Sequence, residues 1–197
     1  MKYRPYVMKA RADAKQETHQ RILRAGTELL WEKVSPEITL DDIAERSGVS
    51  IQTVLRHFGT REKLFDAIES FLHQEVVAER QTPPGDVEAA IKVIFDHYEL
   101  RGDAVMLMLA QEHWNERIRA GMDLGRRTHR EWVERVFGPQ VARYAGAKRE
   151  ELVDLLVVAT DVYTWKLLRR DRQLERQHAE ERVKRLIAAI LAEKKGY

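Results

Sequence analysis

The residues best suited to binding another molecule lie between Ile38 and Leu64, in the stretch ITLDDIAERSGVSIQTVLRHFGTREKL. Gln52, Thr53 and Arg56 stand at helical spacing and offer amide, hydroxyl and guanidinium groups on one outward face. Groups of these types can hydrogen-bond to base edges and phosphates in the major groove of DNA. The stretch therefore predicts a DNA-binding site.

Two short helices joined by a glycine turn must position these side chains. Thr39, followed three residues later by Asp42, resembles a capping box and predicts the start of the first helix. Gly48 predicts its end, because glycine readily adopts a left-handed backbone, and Ser50 can cap a second helix. This order of helix, tight turn and helix is typical of a helix-turn-helix motif.

A third helix is predicted after Thr60, where free backbone N–H groups and Arg61 can bind a phosphate. For single residues such as Gln52, Arg56 and His57, a plain surface or helix-end packing role remains an alternative. The predicted DNA-binding residues are Thr39, Ser50, Ile51, Gln52, Thr53, Leu55, Arg56, His57 and Arg61.

These residues resemble the tetracycline-repressor-like (TetR) family of transcriptional regulators. The resemblance runs through RILRAGTELL, the stretch quoted above and DAI, roughly a quarter of the chain. Two positions depart from the family pattern: Leu55 stands where members usually carry tyrosine, and Arg61 where they usually carry lysine. The resemblance implies a repressor that binds double-stranded DNA at a palindromic operator as a homodimer and responds to a small-molecule effector.

The composition excludes several classes of protein. The chain has no cysteine, which excludes disulfides, thiolate metal sites and thiol nucleophiles. Its 34 Lys+Arg and 32 Asp+Glu nearly cancel, so total charge does not reveal a polyanionic partner. No apolar run is long enough for a membrane span or a signal peptide, and we expect a cytoplasmic protein without a membrane partner.

Hydrophobic spacing is helical nearly everywhere and predicts an all-α fold of about nine helices. A basic arm is predicted over residues 1–16, disordered in the free protein and ordering on DNA. The helix-turn-helix domain is predicted over 17–62, with a connecting helix to about residue 80. The break QTPPGD then introduces a helical ligand-binding and dimerisation domain over 81–197.

Two sites are predicted in this second domain. Gly102 and Gly121 are expected to bound a flexible, methionine-rich segment beside an apolar ligand cavity. The predicted ligand-binding residues are Met106, Glu112, His113, Trp114, Trp132 and Tyr163. Two long amphipathic helices, from Leu152 to Leu168 and from Val183 to Leu191, predict a four-helix bundle between two chains. The predicted dimer residues are Leu152, Leu156, Ala159, Val183, Ile187 and Ile190.

An enzymatic role finds little support in the sequence. Glu175 and His178 have the Glu-x-x-His spacing of di-iron bundles, but no second such pair occurs. We therefore predict no catalytic residues, no metal and no cofactor. The alternatives are a regulator controlled by a protein partner, and a helical carrier or enzyme.

Overall fold

The computed structural model describes residues 4–33 and 37–192, and the side chains from residue 9 onward. Most of the described residues are helical and none lies in a strand, which confirms the all-α fold class. The helices are α1 (Arg4–Glu32), α2 (Leu40–Ser47), α3 (Ile51–Phe58), α4 (Arg61–Glu79), α5 (Val87–Leu109), α6 (Glu116–Val136), α7 (Gly138–Val141), α8 (Gly146–Thr160), α9 (Val162–Lys166) and α10 (Arg176–Ala192). If α7, a single turn of four residues, is left out, the described residues contain nine α-helices, in agreement with the prediction of about nine. None of them is both long and apolar enough to cross a bilayer.

The chain divides into two compact units, Met1–Glu75 and Val76–Tyr197. In the first unit, α1 begins well before the predicted domain. The expected disorder of the basic arm is not observed in residues 4–16, which form the first half of α1. The reason is local: this segment has no glycine, is rich in alanine and charged helix formers, and carries its one proline in the first turn.

The core of the first unit joins one face of each of its helices. Ile22 and Leu29 from α1, Ile43 from α2, Val54 from α3 and Leu64 from α4 are all essentially inaccessible to solvent. These side chains recur at helical spacing, and their burial fixes which side of each helix faces outward.

The second unit has one core, built by α5, α6, α8, α9 and α10 around Phe95, Trp132 and Trp165. The predicted helix from Leu152 to Leu168 is interrupted: α8 ends at Thr160, and Asp161, in an extended conformation, caps α9.

Gly102 and Gly121 lie inside α5 and α6 and do not mark helix ends, which corrects the prediction of a segment bounded by them. A Cβ on Gly102 would lie 2.4 Å from the Trp165 ring, so glycine at this position allows the ring to pack directly against the α5 backbone.

The predicted dimer residues lie mostly in the interior of the single chain. Leu152, Leu156, Ala159, Val183 and Ile187 are at most 2% exposed, and they fill the core of their own unit. Ile190 is half-buried beside them. The sequence revealed that α8 and α10 are amphipathic, but it did not reveal that their most apolar faces pack within the chain.

Candidate nucleic-acid interface

The N-terminus of α2 is fixed by the predicted capping box. The backbone N–H of Asp42 donates to the Thr39 hydroxyl oxygen at 3.1 Å, and the Thr39 N–H donates to the Asp42 carboxylate at 2.8 Å. The hydroxyl and backbone bonds from Thr39, with a further bond from Lys33, hold the pKa of Asp42 well below its usual range. Thr39 therefore has a structural role as the N-cap, whatever it contacts on DNA.

The turn between α2 and α3 follows the sequence closely. Gly48 has φ 67° and ψ 35°, the left-handed conformation that ends α2, and its N–H bonds to carbonyls in the last turn. Ser50 then caps α3 by accepting from the Thr53 N–H at 3.2 Å. Two consecutive local caps thus set the direction in which α3 leaves the turn.

Helix α3 separates an inner and an outer face. Val54 and Phe58 are buried, whereas Gln52 and Arg56 are exposed and Leu55 is 36% exposed. Within the described residues, the side chain of Gln52 makes no hydrogen bond, and the side chain of Arg56 makes only a 3.5 Å contact from Nη2 to the Thr53 hydroxyl. The Gln52 amide and the Arg56 guanidinium, which lack strong internal partners, are available for an external ligand.

The remaining predicted residues of α3 are half-buried. Ile51, Thr53 and His57 lie at the edge of the outer face. Burial lowers the pKa of His57, and the neighbouring charges of His19, Lys15 and Arg56 add to this effect. His57 is therefore a neutral side chain near neutral pH.

A groove beside α3 was not predicted. It lies between α1 and α3, where His19 stacks on Phe58 with ring centroids 4.5 Å apart. The groove is lined by Ala14, Lys15, Thr18, Val49, Thr53, Arg56 and His57. The basic composition of residues 1–16 pointed to this region, but no local pattern shows that α1 packs next to α3.

Arg61, the predicted phosphate contact, also holds the first unit together. It is an exposed residue, yet its Nη2 donates to the carbonyl oxygen of Ile38 at 3.0 Å, and its guanidinium lies 4.5 Å from the Phe65 ring centre. The remaining N–H groups of the guanidinium are still able to bind a phosphate. Removing the whole side chain would therefore affect both the fold and any phosphate contact.

The predicted ligand-binding residues do not line one buried cavity. Trp114 is 76% exposed, Tyr163 is 55% exposed and His113 is also exposed. Trp132 lies in the core of the second unit, and Met106 packs at the edge of that core.

Glu112, the sixth predicted ligand-binding residue, is half-buried and forms an ion pair with Arg126 at 2.8 Å. A cavity lined by all six side chains would require a rearrangement of this region.

No cluster of three or more metal-ligating side chains occurs among the described residues. Glu175 and His178, the Glu-x-x-His pair of the sequence, are both exposed.

The capped helix-turn-helix with a polar outer face defines the first unit as a DNA-binding unit of the helix-turn-helix class. The family model described as bacterial regulatory proteins, tetR family, matches residues 22–68, which include the whole motif. Residues 22–68 therefore resemble this family of regulatory proteins, which confirms the resemblance seen in the sequence.

Solved structures share the fold over most of the chain. A tetR-family transcriptional regulator from Streptomyces coelicolor has a TM-score of 0.64 at 18% identity, with 87% of this chain and 81% of that chain covered. A putative TetR-family regulator from Rhodococcus sp. has a TM-score of 0.63 at 17% identity, covering 89% and 100%. A TetR transcription regulator from Haloarcula marismortui has a TM-score of 0.56 at 18% identity, covering 88% and 98%. A comparison with curated proteins gave no significant match.

Proposed function

We propose that the protein is a dimeric cytoplasmic repressor that reads a palindromic operator through α3 and releases it when a small molecule binds the second unit. The observation that carries the DNA-reading part is the outer face of α3. Gln52 and Arg56 are exposed and without strong internal partners, on a helix held by caps at its start.

In this proposal the contacts divide into two kinds. Gln52 and Arg56 read base edges, because amide and guanidinium groups can bond bidentately to adenine and guanine. Leu55 contacts a thymine methyl, while Ser50, Thr53 and Arg61 bind phosphates. Lys15, in the groove beside α3, adds a phosphate contact that lies outside the motif.

The proposed dimer uses apolar side chains that remain exposed on α8 and α10. Leu155 and Val158 on α8 are 38% and 61% exposed, and Leu186 on α10 is 43% exposed. Because α8 and α10 pack against each other, these side chains can form one apolar surface that a second copy covers. A two-fold dimer would place its two α3 helices about 34–36 Å apart, one turn of DNA.

The proposed release works through α4. Helix α4 begins at Arg61 in the first unit and ends at Glu79 in the second. A ligand that moves the C-terminal end of α4 can therefore change the distance between the DNA-binding units of the two chains in the dimer. Linkage requires that the ligand weakens operator affinity by the same factor by which operator weakens ligand affinity.

The experiment is a salt titration of binding to the DNA upstream of the protein's own gene, followed by fluorescence anisotropy. Phosphate contacts release counterions, so affinity should fall steeply as salt rises, while a specific site should outcompete random duplex. Equal affinity for both duplexes at every salt concentration would contradict base reading.

Light scattering tests the dimer independently of DNA. We expect a dimeric mass at micromolar concentration for the native chain, and a monomeric mass for Val158→Glu. Leu100→Glu is the matched control, because Leu100 is 72% exposed but lies on α5. A monomeric mass for the native chain, or the same response from both variants, would contradict the proposed face.

A further inference from the structure

A buried arginine in the second unit lacks a counter-ion. Arg80 directly follows α4 and is only 6% exposed. Its Nη2 donates a 3.4 Å hydrogen bond to the Tyr98 hydroxyl, but its Nε has no hydrogen-bond partner. Within the described part of the chain, no carboxylate lies at ion-pair distance from its guanidinium. Buried charges in proteins are normally paired, so this arrangement needs an explanation.

Nearby carboxylates do not fill the role. Glu79 precedes Arg80 but is engaged by Arg101 and by the Nδ1–H of His97, at 3.1 Å from His97. Burial opposes the ionisation of Glu79, yet these bonds outweigh it and lower the pKa of Glu79 to about 2. Its charge is therefore already compensated.

Asp161 is the other candidate counter-ion. Its carboxylate accepts the Tyr163 N–H at 2.9 Å as the cap of α9. Burial raises the pKa of Asp161, although the Tyr163 bond and the charge of Arg80 act in the opposite direction. Asp161 is close enough to sense Arg80 but makes no ion pair with it.

The backbone of Arg80 is held firmly, so the side chain does not lie in a loose segment. The indole N–H of Trp132 donates to the Arg80 carbonyl at 2.8 Å, and the Thr82 hydroxyl donates to the same oxygen at 3.2 Å. The Cζ of Arg80 lies 5.6 Å from the centre of the Tyr98 ring.

A second buried group beside Arg80 is also unsatisfied. His129 is 5% exposed, its Nε2 contacts the Thr160 hydroxyl at 3.1 Å, and its Nδ1 has no partner. Burial, reinforced by the charge of Arg80, lowers the pKa of His129 to about 3, so its ring is neutral. Two unsatisfied polar atoms thus lie within one aromatic core, where His129 stacks on Trp132 at 5.7 Å.

We propose that the second unit binds a small organic monocarboxylate, whose carboxylate pairs with Arg80 and whose apolar body packs among the surrounding aromatic rings. This inference rests on the proposed function, since it names the chemical class of the effector. Arg80 takes the place of Glu112 and His113, two of the predicted ligand-binding residues, as the polar contact of the ligand. It is opposite in charge to Glu112 and more deeply buried than His113.

The chemistry of the site favours a carboxylate over other anions. A guanidinium offers parallel N–H donors that match the two oxygens of a carboxylate. The Tyr98 hydroxyl accepts from Arg80 and keeps its own proton to donate, and burial raises the pKa of Tyr98 to about 12. Tyr98 and Trp132 provide an apolar wall, which suits the hydrocarbon part of an organic acid better than a hydrated inorganic ion.

The test uses three acids with their neutral amides: acetate, benzoate and hexanoate against acetamide, benzamide and hexanamide. Thermal unfolding and tryptophan fluorescence of the full chain are followed without DNA at constant ionic strength, with sulfate as the inorganic control. At least one acid should raise Tm in a concentration-dependent way. No response to any acid, or equal responses to acid and amide or to acid and sulfate, would overturn the proposal.

Arg80→Met tests the residue, and Arg135→Met is the control, since Arg135 is exposed and bonds the Thr82 carbonyl at 3.1 Å. Arg80→Met should reduce acid affinity by about 10- to 100-fold, the usual weight of a charged hydrogen bond, while Arg135→Met retains it. Without ligand, Arg80→Met should be at least as stable as the native chain, because it removes an uncompensated charge. An unchanged response of Arg80→Met to the acids would overturn the proposal.

Arg80→Lys covers the case in which Arg80→Met does not fold. It keeps the charge, so it should still respond to the acid, with lower affinity than arginine. If Arg80→Lys is as stable as the native chain while Arg80→Met and Asp161→Asn both unfold, Asp161 is the counter-ion and the proposal is wrong. Operator binding is assayed separately, so acid binding without any effect on DNA would contradict the release mechanism and not this site.

Discussion

The two units place their ionisable side chains differently. The first unit buries an apolar core and displays its functional polar groups, with Gln52 and Arg56 exposed on α3. The second unit places Arg80, His97 and His129 inside its core, each at most 6% exposed. An exposed reading surface depends on local helix geometry, whereas a buried polar cluster depends on contacts between segments distant in sequence.

Acidification should give the largest effect, a loss of stability that arises from buried histidines of the second unit. Burial, which outweighs the hydrogen bond to Glu79, lowers the pKa of His97 from 6.5 to about 4. Below pH 6.5 the unfolded chain therefore takes up a proton that folded His97 does not. Between pH 7 and pH 5, His97 alone should lower the free energy of unfolding by about 2 kcal/mol, and His129 acts in the same direction.

Urea unfolding at the two pH values measures this loss. The double variant His97→Gln, His129→Gln is the control, and its stability should change less between pH 7 and pH 5. Equal stability of the native chain at both pH values would contradict the burial of neutral histidines in the second unit.

Glycine packing gives a second, smaller contrast. A Cβ on Gly102 would meet three atoms of the Trp165 ring at 2.4–2.9 Å, whereas a Cβ on Gly26 would meet Cδ1 and Cγ1 of Ile68 at 2.2 and 2.7 Å. A rigid ring must move as a whole, so Gly102→Ala should cost about 1–2 kcal/mol after the gain in helix propensity.

Gly26→Ala is the matched variant in the first unit, and it should cost less because an aliphatic side chain can relieve the contact by smaller shifts than a rigid indole ring. Urea unfolding of Gly102→Ala and Gly26→Ala shows which variant loses more stability. A larger loss for Gly26→Ala would show that the core of the first unit is the more tightly packed of the two.

Helix capping gives the smallest effect and is confined to the first unit. Thr39→Ala removes the hydroxyl that accepts from Asp42 N–H and should cost about 1 kcal/mol of stability. Thr39→Ser keeps the hydroxyl and should restore most of it. If alanine and serine are equally stable, the capping box does not contribute in solution.

The same contrast explains how much the sequence could predict. The capping box at Thr39, the left-handed Gly48 and the Ser50 cap are local, and each was predicted from residues no more than three positions apart. The break at Asp161 was missed, because its neighbours carry neither glycine nor proline and their hydrophobic spacing continues through it.

Longer-range features could not be predicted for a related reason. Helical periodicity shows that Leu152 and Val183 lie on apolar faces, but it does not say whether the chain itself or a second copy covers them. The burial of Arg80 depends on Trp132 and Tyr98, more than fifteen residues away in sequence, and no pattern near Arg80 announces it.

The central claim, that α3 reads bases through Gln52 and Arg56, is tested most directly by comparing operator and random-duplex affinities of variants. Gln52→Ala and Arg56→Ala should each lose about 1–3 kcal/mol on the operator and much less on random DNA. The control, Arg172→Ala, removes an exposed cation of the second unit and should leave both affinities unchanged. Equal losses on operator and random duplex for Gln52→Ala and Arg56→Ala would contradict the account, because α3 would then hold DNA without reading it.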